Sequence, residues 1–307
     1  MTLDIQENVP LAPMTTFKIG GPARYFAVVR SESEIREALE WVKIKKIPHI
    51  VWAGGSNILV PDEGIEALVM CIENQDLSFF KNTLEADAGC NLLSLIRTAS
   101  EKGLGGWEKL SGIPGTLGGA IRGNAGAFGP EIKDFVQKVR AFNTGTGDIR
   151  EFDNAECEFV YRNSFFKRNP EWIVMRVLIE LENADPTDSA DLIARTIAER
   201  EKRHIQNVRA AGSFFVNPVV SKEIQEMFEK EKGMSAREGR VPAGCLIEKV
   251  GMKGARVGDA VASEQHPNYI KNDGKATAKD VLTLARQIKD AVKEKFGVEL
   301  KEEAVVL

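Results

Sequence analysis

Seven glycines fall within eighteen residues of the stretch SGIPGTLGGAIRGNAGAFG, which begins at Ser111: Gly112, Gly115, Gly118, Gly119, Gly123, Gly126 and Gly129. Ordering a glycine costs more backbone entropy than ordering any other residue. Such density therefore belongs where the chain needs left-handed turns or close approaches that a side chain would forbid. A shorter stretch, AGGSNILV, places Gly54, Gly55, Ser56 and Asn57 directly after the apolar run HIVW. Neither stretch carries the G-K-[ST] of a Walker loop, and neither fits G-x-G-x-x-G ahead of a helix. From the residues alone two readings stand. These are tight turns, or they are loops whose amides turn toward an anion such as the pyrophosphate of an extended dinucleotide.

The surrounding pattern is mixed. Ser31 and Glu34 form a capping box ahead of a helical stripe at Ile35, Leu39 and Val42, and a short strand then breaks at Gly54-Gly55. A second helix ends near Gly103. FVQKVRAFNTGTGDIREF reads as two strands around a Gly-Thr-Gly turn, and WIVMRVLIELE as another strand. ADPTDSAD, residues 184–191, reads as a polar loop or boundary, followed by a helix with a basic end. Thr277 and Asp280 cap a long helix with Val281, Ala285, Ile288 and Val292 on its buried face, and Gly297 ends it. The last residues read as a strand carrying Glu302 and Glu303. Hairpins mixed with helices predict an α+β protein and argue against a doubly wound sheet.

With 307 residues the chain has material for two or three compact units. Its net charge of −4 argues against nucleic-acid binding. No stretch approaches the roughly 18 apolar residues of a membrane span, and no secretory signal opens the sequence. Cys71, Cys90, Cys157 and Cys245 are scattered, a pattern of free thiols in a reducing cytoplasm and not of disulfides or a zinc site.

RAAGSFFVNP hems Ser213 between a glycine and two phenylalanines. A nucleophilic serine normally has a histidine base. The three histidines, His49, His204 and His266, stand in no triad motif, and there is no G-x-S-x-G elbow. On position alone Ser213 is either a structural turn residue or an acid of another kind.

In order along the chain, TTFKIGGPARYF, GGSNILV, SGIPGTLGGAIRGNAGAFG, YRNSFFK, AGSFFVNP and GVELKEEAVV resemble the motifs of the UDP-N-acetylenolpyruvoylglucosamine reductases, also called UDP-N-acetylmuramate dehydrogenases. The resemblance runs from about Thr15 to the C-terminus. It implies an FAD-binding domain of the vanillyl-alcohol-oxidase (PCMH) type in two subdomains, residues 15–72 and 73–184, and an α+β substrate domain over 200–307. It also implies NADPH as hydride donor and a UDP-sugar as substrate. The reaction is reduction of the enolpyruvyl ether of UDP-N-acetylglucosamine to UDP-N-acetylmuramate, in peptidoglycan synthesis.

By that resemblance Ser213 is the proton donor, a role that needs no histidine because an enolate carbanion is a far stronger base than water. Arg162 matches the arginine that pairs with the substrate carboxylate, against the alternative of a surface ion pair. Glu303 matches the C-terminal catalytic glutamate, with Glu302 the rival by one position. The FAD contacts implied are Gly54, Gly55, Ser56, Asn57, Ser111, Gly112, Ile113, Pro114, Gly115, Gly118, Gly119, Asn124 and Gly126. The substrate contacts are Tyr161 and Asn217, with Arg200 and Arg203 either at the UDP phosphates or on a solvated helix end.

Three departures stand out. Val216 replaces the usual lysine, LKEEA replaces L-E-P-E-V, and the interval from Arg162 to Ser213 lacks room for a substrate-capping tyrosine loop, as in the second subclass. The rivals are another oxidoreductase of the same flavin fold and a non-catalytic flavin- or UDP-sugar-binding protein; the first departures favour the latter, and the joint presence of Arg162, Ser213 and Glu303 argues against the former.

Overall fold

The structure is a computed structural model that describes residues 3–203 and 207–307; His204 lies outside the described residues. The chain divides into two compact units. One comprises Met1–Val9, Ala23–Gly55 and Ile65–Lys202, and the other Pro10–Pro22, Ser56–Gly64 and Arg203–Leu307.

The first unit holds two larger sheets and a short antiparallel pairing of Leu104–Gly105 with Glu182–Asn183. In the four-stranded one the order is Ile5–Pro10, Pro22–Val29, Ile65–Ile72, His49–Trp52, and Ile65–Ile72 pairs in parallel with both Pro22–Val29 and His49–Trp52. The helix Glu32–Lys45 connects two of these strands. Ser31 Oγ accepts from the Glu34 amide, and Ile35, Ala38 and Val42 are buried. The five-stranded sheet is antiparallel, in the order Ile149–Asp153, Val136–Asn143, Trp172–Glu180, Thr83–Asp87, Leu77–Phe80. The expected hairpin around Gly145-Thr146-Gly147 is thus present, with Asn143 Oδ1 accepting the amides of Gly145 and Thr146.

Two elements differ from their readings. The C-terminal strand is Val305–Val306, so Glu302 and Glu303 precede it, with Glu302 only in an isolated bridge to Phe215. The loop expected over 184–191 is the start of the helix Pro186–Lys202. Asp185 Oδ1 accepts from the amides of Thr187 and Asp188 at 2.8 and 3.2 Å, and Pro186 occupies the first turn, where a missing N–H costs nothing. An Asp-Pro pair marks a turn and a helix start with the same residues, and here the second applies.

In the second unit the helix Ala278–Phe296 is as its sequence foretells. Thr277 and Asp280 form the capping box, Val281, Ala285, Ile288 and Val292 are buried, and Gly297 closes the helix at φ +65°. Its first two amides also donate to the carboxylate of Asp62, Ala278 N at 2.7 Å and Lys279 N at 3.1 Å. A three-stranded antiparallel sheet runs Arg256–Val257, Ala260–Ala262, Ile270–Asn272. The C-terminal strand Val305–Val306 pairs in parallel with Ile58–Leu59, which draws the 56–64 segment into this unit. Thr16 Oγ1 donates to the carbonyls of Ala210, at 2.7 Å, and Ser56, at 3.2 Å, and fastens the 10–22 segment there as well. Phe17, Leu59, Phe214, Phe215, Leu246 and Leu284 share its core. Among the described residues no helix is long and apolar enough to cross a membrane.

Candidate functional site

In the first unit the two glycine stretches meet. A Cβ on Gly54 would lie 2.7 Å from Gly115 Cα, closer than real Cβ contacts allow, so position 54 requires glycine for the loops to touch. The loop at 88–92 seals the arrangement. Gly118 N donates to Ala88 O at 2.8 Å, Leu117 N to Cys90 O at 2.9 Å, and Leu92 N to Gly115 O at 3.2 Å. A Cβ on Gly118 would sit 2.8 Å from that of Ala88. Gly55, Gly112 and Gly115 have φ of +62°, +80° and +118°, and among the described residues their amides donate to no protein acceptor.

Successive unpaired amides on a tight turn attract anionic oxygens. Ser111 strengthens the case. Its side chain is fully buried and Oγ has no protein partner among the described residues, and an orphaned buried hydroxyl calls for a ligand or a water. The donor set fits the diphosphate of a dinucleotide.

Other expected contacts take different places. Ile113 is partly buried with its amide bonded to Leu110 O, and Pro114 is exposed. Gly119 N is spent on the helix cap, donating to Thr116 Oγ1 at 3.4 Å. Asn124, expected at the cofactor, has no exposed surface. Its Nδ2 donates to Glu131 Oε2 at 2.8 Å and to Val160 O at 3.0 Å, its Oδ1 accepts from Lys133 N at 3.3 Å, and its backbone ends the helix Leu117–Gly123 at φ +43°. With its amide so occupied, Asn124 shapes the loop from within. Gly126 pairs with Glu131 in an isolated bridge that leaves no space for a Cβ.

Arg162 is half-buried and left-handed, at φ +56°. Its Nη2 donates to Gly126 O at 2.9 Å, and its guanidinium stands over the Tyr161 ring, 5.0 Å from the centroid. Ser164 Oγ donates to Arg122 O at 2.8 Å. The YRNS segment is therefore fixed to the glycine-rich stretch at two points. A non-glycine residue held left-handed is a constraint that the surrounding bonds maintain. Arg200 is 7% exposed, whereas Arg203 is exposed.

In the second unit Ser213 follows Gly212, whose φ of +73° turns the chain. The serine is half-buried, and its hydroxyl has no protein partner among the described residues. The backbone just after it is rigid. Phe214 N donates to Asn268 O at 2.7 Å, Phe215 N to Asn268 Oδ1 at 2.9 Å, and Asn268 Nδ2 to Phe215 O at 2.8 Å. On the other side Glu303 N donates to Phe214 O at 2.8 Å and Val216 N to Lys301 O at 2.9 Å. The rings of Phe214 and Phe215 are fully buried and meet edge-on.

The C-terminal carboxylates part ways. Glu302 is paired with Lys289 at 2.8 Å, while Glu303 is half-buried with its main chain tied to Phe214 and to Asn57. Asn57 Nδ2 donates to Glu303 O at 3.1 Å, and Asn57 O accepts from Val305 N at 2.9 Å. Asn57 thus anchors the glutamate, and Ser56 falls in the same unit. Asn217 Oδ1 accepts from Ala243 N at 3.0 Å at the start of the helix Ala243–Lys249, while its Nδ2 has no protein partner among the described residues.

Asn268 escaped the sequence reading. It is 2% exposed, and an asparagine in HPNYI carries no pattern that separates a backbone clamp from a turn. The cysteines are free, and burial pushes the Cys71 thiol up to about 11 and that of Cys157 to about 12.

Residues 23–153 match the family described as FAD binding domain, and residues 203–307 match the C-terminal domain of UDP-N-acetylenolpyruvoylglucosamine reductase. The UDP-N-acetylenolpyruvoylglucosamine reductase of Solibacter usitatus is 35% identical, with 98% of this chain and 96% of that protein covered. The Pseudomonas aeruginosa enzyme of the same name is also 35% identical, with 99% of each chain covered, over 336 positions against the 307 residues here. Gaps in this chain therefore face extra residues in that relative. Among solved structures, the UDP-N-acetylenolpyruvylglucosamine reductase of Thermus caldophilus superposes with a TM-score of 0.77 at 32% identity, covering 99% of both chains. Likeness of this extent, carried along the whole sequence and the whole fold, means that the chain belongs to the UDP-N-acetylenolpyruvoylglucosamine reductase family.

Proposed function

We propose that the protein is a flavin-dependent oxidoreductase that uses NADPH to reduce UDP-N-acetyl-3-O-(1-carboxyvinyl)-glucosamine to UDP-N-acetylmuramate, a step of peptidoglycan precursor synthesis. On this reading it works in the cytoplasm on a UDP-sugar and belongs to the subclass without a tyrosine loop. Residues 15–72 and 73–184 serve as the FAD-binding subdomains, and 200–307 as the substrate-binding domain. The unpaired amides of Gly55, Gly112 and Gly115, with the Ser111 hydroxyl, hold the FAD diphosphate. Bound FAD, once reduced by NADPH, supplies hydride to the terminal carbon of the enolpyruvyl group.

The chain's own groups then manage charge and proton. Arg162 holds the substrate carboxylate through its guanidinium, which stays protonated at any working pH, and so stabilises the enolate as negative charge grows on it. Ser213 gives its hydroxyl proton to the carbon next to that carboxylate. The transfer is downhill because a carbanion is a stronger base than an alkoxide, and it needs no histidine. Glu303 lies with Ser213 in the second unit and polarises the developing enol. Asn217 presents Nδ2 to the substrate, with its Oδ1 held by Ala243. Tyr161, Arg200 and Arg203 complete the proposed substrate contacts.

The observation that carries this reading is the Ser213 hydroxyl. It has no protein partner among the described residues, yet it stands on a backbone clamped by Asn268 and Glu303. A turn serine would spend its hydroxyl on the local backbone; a proton donor keeps it unspent. The test is NADPH oxidation by the FAD-loaded protein. Oxidation should require the enolpyruvyl UDP-sugar and yield one UDP-N-acetylmuramate per NADPH; oxidation indifferent to that substrate would refute the assignment.

A further inference from the structure

The helix Leu117–Gly123 buries Leu117, Ala120 and Ile121. Its opposite side is almost all glycine, and the helical repeat places Gly118, Gly119 and Arg122 on one face. Gly118 is covered by Ala88, whereas a Cβ on Gly119 would meet no atom closer than 3.7 Å, so the open part of this face lies at Gly119 beside Arg122.

The electrostatics of this arginine are unusual within its own unit. Arg140 pairs with Glu32, and Arg176 with Asp87, each at 2.6 Å, and Arg162 donates to Gly126 O. Arg122 is half-buried, yet among the described residues its guanidinium has no hydrogen bond, ion pair or ring contact. Burial lowers its proton affinity below the usual arginine value, with no carboxylate acting against the loss. A cation taken partly out of water without a counter-charge is destabilising, and the ordinary remedy is a partner. The main chain of Arg122 meanwhile receives Ser164 Oγ, which ties it to the segment that carries Arg162.

We infer that Arg122 is an anion-binding residue, whose guanidinium pairs with anionic oxygens of a ligand lying beside the helix Leu117–Gly123 at Gly119. The shared chemistry is a pair of charged oxygens, as in a phosphate or a carboxylate. The identity of the ligand rests on the function proposed above, which supplies two sources: the FAD diphosphate and the enolpyruvyl carboxylate.

The test uses the full-length protein stripped of flavin and its Arg122→Met and Arg122→Lys variants. One arm measures the FAD dissociation constant by flavin fluorescence, and the other the KM for the enolpyruvyl substrate at saturating FAD. Arg122→Met should weaken one of them tenfold or more, with Arg122→Lys restoring part of the loss. Loss of FAD affinity identifies the phosphate, and a raised KM with intact FAD affinity identifies the carboxylate. Both constants within twofold of wild type in folded Arg122→Met would overturn the inference.

Should Arg122→Met fail to fold, Arg122→Lys takes its place, and unchanged constants in that variant would overturn the bidentate pairing. A wild-type protein with no turnover of the enolpyruvyl sugar would sink the proposed function alone. The inference would then be read from pyrophosphate added to the flavin-free chain. Its melting temperature should rise in wild type and not in Arg122→Met, and an equal response in both would overturn it.

Discussion

On the proposed reading Ser213 is a weak acid that serves without its proton affinity being perturbed. Its hydroxyl is left unspent, and the backbone beside it is fixed by three hydrogen bonds, two donated by the Phe214 and Phe215 amides to the buried Asn268 and one donated by Asn268 Nδ2 to Phe215 O. Preorganisation of this kind places the cost of positioning in folding and not in the reaction. Asn268→Ala removes two side-chain bonds and strands the Phe215 amide and carbonyl, so we expect a loss of about 2–4 kcal/mol in stability by denaturant unfolding. The substrate-dependent step should also slow, because the serine loses its fixed support. A variant as stable as wild type would show that the clamp is dispensable.

The half-buried thiol of Cys71 and the buried thiol of Cys157 are the opposite case, groups silenced by their surroundings. With its pKa raised to about 11, Cys71 holds about one thiolate in a thousand at pH 8. Folded protein at that pH should therefore leave Cys71 and Cys157 unlabelled by iodoacetamide, as peptide mass spectrometry would reveal, while unfolded protein labels fully. The sign of the linkage follows. The folded state holds these protons more tightly, so this contribution to stability is complete below the ordinary thiol pKa and declines as pH rises past it.

At the scale of elements, the glycine stretches act through contact geometry. Gly54 and Gly115 touch because Gly54 has no Cβ, and Gly118 leans on Ala88 for the same reason. Gly54→Ala should part the loops, at a cost of about 1–3 kcal/mol for the forced overpacking, and weaken FAD binding at least tenfold in a fluorescence titration. Unchanged affinity would dissociate the loop contact from the cofactor. Here the sequence was informative up to a point. Glycine density and the lack of a Walker signature signalled an anion cradle or tight turns. Which glycines serve approach and which serve curvature depends on Ala88, Cys90 and Leu92, far from the motif in the chain. The caps were legible because they are local: Ser31 with Glu34, and Thr277 with Asp280. Asp185-Pro186 misled because the same dipeptide begins turns and helices.

At the scale of the molecule, two interleaved units emerge from a chain that reads as consecutive pieces. The 10–22 and 56–64 segments join Arg203–Leu307 through Thr16, Asn57 and the parallel pairing of Val305–Val306 with Ile58–Leu59. No local pattern announces such pairing, because each strand contributes only two residues. Resemblance along the chain supplied the family, and the six ordered motifs point to the same reaction as the full-length relatives. The departures have structural settings. The Val216 amide donates to the Lys301 carbonyl, the Glu302 carboxylate pairs with Lys289, and the Glu303 amide donates to Phe214 O.

The role of the Ser213 hydroxyl is tested by separating the two halves of turnover in Ser213→Ala loaded with FAD. Under anaerobic rapid mixing, bleaching of the flavin by NADPH should keep its wild-type rate within about twofold. Return of the yellow colour on adding the enolpyruvyl UDP-sugar should slow by about 100-fold or more, the usual worth of a positioned general acid. Equal slowing of both halves, or recovery of colour at the wild-type rate, would contradict the assignment of the proton to Ser213.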